Sequence, residues 1–126
     1  MKLWCCNCQK EVNAALCKGD VVYPHRPDLY KKNFYKCPTC GNFVGCHPKT
    51  TRPLGCIPTP EIKLARIKVH EKMDPIWKSG KITRNALYRL ISKRLGYTYH
   101  NGGTKSVTEC LKVWDILEGI EHDLNN

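Results

Sequence analysis

With 126 residues, nine cysteines and a formal charge of +10, the chain is sized for one domain or two very small ones. No apolar run approaches the ~18 residues of a membrane span, and the opening MKLWCCNCQK lacks an apolar stretch ahead of a small-residue cleavage site, so neither a membrane segment nor a secretory leader is expected. A reducing cytoplasm fits this pattern, and there paired cysteines are read as zinc ligands before disulfides.

Residues 1–58 hold turn formers, thiols and short β-type runs. The first stretch, CCNC, places Cys5 and Cys8 at two-residue spacing, which Cys6 cannot make with Cys8. KGDVVYP (18–24) and KNFYKCP (32–38) read as strands, and GNFVGCHP (41–48) reads as the return strand of a hairpin. Pro24, Pro27, Pro48, Pro53, Pro58 and Pro60 argue against long helices in this half and its exit. The turn CPTC supplies a second pair, Cys37 and Cys40, with Pro38 fixing φ and Gly41 free to take positive φ.

At residue 59 the period changes. Thr59-Pro60-Glu61 has the order of a helix start: cap, proline at the first helical position, acid near the positive end of the dipole. Ile62, Ala65, Val69 and Met73 make one stripe while Leu64 and Ile67 point elsewhere, which predicts a helix packed on two sides. MDPIWKSGK is expected to break it. Trp77 is expected to pack under the zinc unit with Ile76 and Leu54. A second helix is expected from Thr83 to Leu95 with Gly96 just past its end, its core face formed by Ile82, Ala86, Leu87, Leu90, Ile91 and Leu95. YTYHNGG reads as a loop or a short strand with a turn. A third helix is expected over residues 106–124, offering Val107, Cys110, Leu111, Trp114, Leu117 and Ile120 for burial. The sum is an α+β fold: a small zinc-ribbon β-hairpin unit, residues 1–58, packed against a three-helix segment, residues 59–126, as one cooperative domain.

The chemistry concentrates in the two cysteine pairs. Zinc takes four tetrahedral ligands, and each C-x2-C turn offers two thiolates, so Cys5, Cys8, Cys37 and Cys40 complete the shell of one structural Zn2+. The 28 residues between the pairs exceed the usual spacing of about 15–20, as a hairpin with an inserted loop would. Cys46, His47 and Cys56, with His25 or Cys17, are the ligands a second zinc would need; the alternative is that Cys46 and Cys56 are small buried residues. No thiol carries a local mark of activation as a nucleophile, whether paired with histidine or as His100 beside Cys110.

Charge is uneven along the chain. Residues 1–58 sum to +6, residues 59–103 to +7 and residues 104–126 to −3. A basic body with an acidic last helix suggests an anionic partner, nucleic acid above others. On the second predicted helix Arg84, Asn85, Tyr88, Arg89, Ser92 and Lys93 fall largely outside the core stripe, where they could meet phosphate and bases. The loop YPHRPDLY (23–30) admits two readings. His25 and Arg26 could contact phosphate, with Tyr23 or Tyr30 stacking on a base; or the tyrosines clamp the loop while Arg26 pairs with Asp28.

The run YPHRPDLYKKNFYKCPTCGNFVGCHPKTTRPLG, followed by LARIKVHEKMDPIWKSGKITRNALYRLISKRLG and HNGG…TEC, resembles a phage and prophage family of small zinc-finger-containing proteins. The likeness extends roughly from Cys5 to Val113, with His25, Arg26, Asp28, His47, Arg66, His70, Trp77 and Arg84 among the matching positions. It implies a phage-encoded or prophage-encoded zinc protein and carries no particular activity; with the cysteine usage above, the host cytoplasm is the expected location. Three functions follow as expectations. The first is non-catalytic nucleic-acid binding through Arg84, Tyr88, Arg89 and Lys93, aided by His25 and Arg26. The second is a modulator or inhibitor that binds a host protein. The third, a nuclease, is disfavoured because acidic residues are few and scattered.

Overall fold

Strands β1 (Lys2–Cys5) and β2 (Lys10–Asn13) pair antiparallel, Lys2 opposite Asn13 and Cys5 opposite Lys10, in a computed structural model that describes residues 1–126. The turn joining them is the first cysteine knuckle. A second antiparallel sheet, in the order β3-β4-β5, is made of β3 (Ala15–Lys18), β4 (Asn33–Lys36) and β5 (Phe43–Gly45), and the second knuckle joins its last two strands.

Adjacent residues of β4 are both buried because its two faces are both covered. Tyr35, opposite Val44, faces a core with Val12, Ala14 and Ile57. Phe34 faces an edge-on aromatic cluster, 5.6 Å from Tyr23 and 5.8 Å from Phe43 between ring centroids.

The expected strand over KGDVVYP does not form. Its Lys18 closes β3, and the chain then turns through a single helical turn, α1 (Gly19–Val22). Close packing explains the turn: a Cβ on Gly19 would stand 1.7 Å from the Leu29 carbonyl oxygen, so only glycine lets the two backbones meet there. The YPHRPDLY loop that follows carries a short 3-10 turn, Pro27–Leu29.

The chain divides into two compact units, Met1–Pro60 and Glu61–Asn126. The second is helical. Helix α2 spans Pro60–Lys78, α3 Arg84–Leu95 and α4 Val107–Leu124. MDPIWKSGK, residues 73–81, ends the helix as expected, but only after Pro75 has been taken inside α2. An interior proline costs about 3 kcal/mol, but Met73 and Ile76 continue the buried face begun by Val69, at 1% and 4% exposure. Burying each of two such side chains is worth roughly 1.5–3 kcal/mol, enough to carry the helix through. It stops at Ser79 and Gly80, where the Ser79 hydroxyl donates to the Ile76 carbonyl and Gly80 takes a φ of +83°. Trp77 packs against the helical core of which Ile76 is part, its indole N–H donating to Asp74 at 3.1 Å. Leu64 and Ile67, expected to meet a second surface, are exposed.

Helix α3 begins and ends as its sequence predicts. The Thr83 hydroxyl accepts from the Ala86 amide at 3.1 Å, and Gly96 closes the helix at a φ of +89°. Helix α4 starts with a similar device: Ser106 accepts from the Glu109 amide, and the Glu109 carboxylate accepts from the Lys105 amide. Its buried face is Cys110, Val113, Leu117 and Ile120, whereas Val107 and Leu111 remain exposed. YTYHNGG is a loop ending in a 3-10 turn, Asn101–Gly103, with Tyr99 buried. Arg66, itself buried, donates to the Thr104 hydroxyl at 3.1 Å and to the Thr104 carbonyl, fixing the end of that loop.

Candidate metal centre and basic helix face

The two knuckles are built alike. In the first, the Gln9 amide donates to the Cys5 carbonyl at 2.8 Å; in the second, the Gly41 amide donates to the Cys37 carbonyl at 3.0 Å. Both Gln9 and Gly41 take positive φ, +56° and +81°. Such a turn swings the following amides toward sulfur, and the Asn42 amide donates to Cys40 Sγ at 3.5 Å.

The four Sγ atoms of Cys5, Cys8, Cys37 and Cys40 lie within 4.8 Å of one another. Cys5 and Cys40 are 3.5 Å apart, Cys8 and Cys37 3.8 Å, each pair joining one knuckle to the other. A tetrahedral zinc with Zn–S bonds of about 2.3 Å sets its sulfurs about 3.8 Å apart. The donor set, its count and its spacing therefore fit one zinc ion with no open position for substrate.

The thiol energetics show why a cation belongs there. Desolvation raises the Cys8 thiol to about 12, helped by the crowding thiols of Cys37 and Cys5, and burial also raises Cys5. Burial acts upward on Cys37 too, but the backbone amides of Cys40 and Thr39 outweigh it and bring that thiol to about 7. Left alone, the cluster would hold its first negative charge on Cys37 and resist the rest. A divalent ion among the sulfurs reverses that resistance and favours the thiolate form throughout.

The other thiols do not assemble a second metal centre: the four knuckle cysteines are the one group of three or more ligating side chains whose donor atoms converge. Cys56 instead meets Cys6, and Cys46 packs against the core beside the knuckles. His47 sits in a tight turn, its carbonyl accepting from the Thr50 amide and hydroxyl. Cys110 is buried in the helical core with its thiol toward the Thr104 hydroxyl, while His100 is exposed.

In the YPHRPDLY loop the bonds are internal. Arg26 and Asp28 form a two-pronged pair at 3.0 and 2.8 Å, which raises the Arg26 guanidinium and lowers the Asp28 carboxyl. Tyr30 donates its hydroxyl to the Pro24 carbonyl, and Tyr23 belongs to the aromatic cluster. His25 is exposed.

On α3, Arg84, Arg89 and Lys93 are exposed, and none of them pairs with a carboxylate. Arg94, on the same helix, is bound to Asp123 at 2.9 Å. Tyr88 is half-buried and already engaged. Its ring stacks on Tyr99 at 5.4 Å, and the Arg84 guanidinium lies 4.9 Å from the ring centre.

Two features escaped the sequence reading. Gln9 occupies in the first knuckle the place of Gly41 in the second, a correspondence visible on aligning the two C-x2-C turns. The Cys6–Cys56 contact has no local signal, since 49 residues intervene and only the fold joins them.

Two hairpins, each carrying a cysteine knuckle and sharing one four-thiol centre, define a zinc-ribbon type of protein whose metal is structural. Residues 2–119 match the family of zinc-finger-containing domains, and the chain belongs to that family. Neither a curated protein nor a solved structure shows a significant match. No helix is long and apolar enough to cross a membrane.

Proposed function

We propose that this zinc protein is a non-catalytic nucleic-acid-binding module that contacts phosphates through Arg84, Arg89 and Lys93. The observation that carries this reading is the exposure of three cations without a carboxylate partner on one capped helix whose fourth cation, Arg94, is neutralised. Tyr88, its own ring committed to Tyr99, serves here as the surface against which the exposed Arg84 guanidinium rests. His25 is a further cation-capable contact on the first unit, and Arg26 reaches a phosphate there only by giving up Asp28. The zinc is a staple with no open coordination position, which argues against metal-assisted cleavage. We place this activity in an infected host's cytoplasm, a reading supported by the sequence resemblance to phage and prophage proteins.

Salt dependence tests the reading. Each phosphate contact contributes about −0.7 to −0.9 to the log–log slope of affinity against salt. Replacing Arg84, Arg89 and Lys93 together by glutamine is expected to flatten that slope by about two to three units, with zinc content and helicity unchanged. An unchanged slope would remove α3 from the interface.

A second reading has an observation of its own. Leu64 and Ile67, a turn apart on α2, are 55% and 46% exposed, apolar surface that suits a host-protein partner better than phosphate. Absence of binding to DNA and RNA at low salt, with stoichiometric capture of one host protein resistant to nuclease, would put that reading first.

A further inference from the structure

We propose that Cys6 and Cys56 form a reversible disulfide site beside the metal centre, oxidised by peroxide while the four knuckle thiols stay on zinc. Their Sγ atoms lie 3.9 Å apart, and the side chains are 2% and 9% exposed. Backbone bonds fix the encounter. The Cys6 amide donates to the Ile57 carbonyl at 2.9 Å, the Ile57 amide donates to the Trp4 carbonyl at 2.8 Å, and Cys5 and Ile57 form a parallel bridge. The two thiols therefore ride on segments already held side by side. An S–S bond requires these sulfurs to close from 3.9 Å to ~2.05 Å.

The selectivity follows from the metal. Cys6 lies within the first knuckle in sequence, between Cys5 and Cys8, yet its sulfur is outside the converging four. The ligand thiolates donate their electron pairs to zinc, whereas the sulfurs of Cys6 and Cys56 meet each other outside that group.

The chemistry balances with hydrogen peroxide as oxidant. Cys56, the more exposed, attacks one peroxide oxygen; an S–O bond forms, the O–O bond breaks, and the departing hydroxide leaves as water with the thiol proton. Cys6 sulfur then attacks the Cys56 sulfenic acid; the S–S bond forms, the S–O bond breaks, and a second water leaves with the Cys6 proton. Two thiols lose two electrons and two protons, and peroxide becomes two waters. A dithiol reductant reverses the change by exchange. The bond would tie the first knuckle to the segment that carries Ile57, a core residue of the zinc unit.

Peptide mapping tests this on the zinc-loaded full-length protein. After peroxide treatment and alkylation with iodoacetamide in denaturant, trypsin without reductant releases residues 3–10, which carry Cys5, Cys6 and Cys8. It also releases residues 50–63, which carry Cys56 alone because Arg52 precedes Pro53. The expected product is these two peptides linked, two hydrogens lighter than their sum, with fragmentation placing the bond on Cys6. Zinc measured before denaturation should stay at one per chain, dithiothreitol should separate the peptides, and Cys56→Ala should never give the linked product. A bond on Cys5 or Cys8, zinc release that precedes linkage, or separate peptides with Cys56 alkylated or over-oxidised would each overturn the proposal.

Discussion

The two units solve the problem of a small core in opposite ways. Met1–Pro60 buries a short set of side chains around the knuckles, and two of the seven, Cys5 and Cys37, are metal ligands. Glu61–Asn126 buries a longer and almost wholly apolar set along three helices, with Leu87, Ile91, Val113 and Leu117 fully enclosed. Strands of three or four residues cannot bury enough area to offset the entropy of ordering them, so the ribbon depends on an ion. A structural zinc supplies apparent binding energy of about 10–16 kcal/mol, which in such a unit is folding energy. The helical unit gains its stability from packing, supplemented by the capped ends of α3 and α4.

Removing the metal should separate the two most sharply. Chelation, or Cys40→Ser, is expected to empty the site and abolish amide-exchange protection across β3, β4 and β5, with Tyr35 and Val44 as reporters because they face each other in the ribbon core. Protection that persists at Tyr35 in metal-free protein would mean that the apolar core of the first unit suffices, and the contrast would collapse.

The reciprocal perturbation is a cavity in the helical core. Leu87 is fully buried between α3 and its neighbours, and Leu87→Ala should cost about 2–5 kcal/mol in denaturant unfolding followed by helix signal. Zinc stoichiometry is expected to remain one per chain. A variant that lost its zinc in native buffer would show that the metal centre also relies on helical packing.

Legibility in the sequence followed how local the cause was. The metal ligands were readable because each C-x2-C pair is set by one tight turn. Helix α3 was readable at both ends because Thr83 and Gly96 act within a few residues. The strand expected over KGDVVYP was not, since the turn at Gly19 is imposed by Leu29, ten residues on, whose carbonyl fills the space of a side chain. The stop of α2 fell within MDPIWKSGK as expected, but its place there was less legible: proline disfavours a helix interior, while burial of Met73 and Ile76 carries the helix past Pro75 to Lys78. Tyr88 looked like a stacking surface from its position on α3, and only the fold brings Tyr99 against it.

The smallest effect distinguishes the two knuckles themselves. They share one backbone design, yet Gly41 takes its φ of +81° without strain and Gln9 takes +56° with a side chain. Positive φ costs a non-glycine residue roughly 1–2 kcal/mol. A Cβ at Gly41 would meet only the Lys36 Cε at 3.7 Å, an ordinary contact, so Gly41→Ala tests conformation alone and should destabilise by about that amount. Gln9→Gly should relieve the same strain, but glycine adds about 0.5–1 kcal/mol of chain entropy to the unfolded state. The substitution also removes the Gln9 side-chain amide that donates to the Cys6 carbonyl. Relief and loss nearly cancel, and a net change within about 0.5 kcal/mol is expected. Both variants should be unfolded at one fixed free zinc concentration, because metal binding adds to apparent stability by mass action. Equal and large costs at the two positions would show that Gln9 is held by its side chain, and the knuckles would then be alike in shape but not in what enforces it.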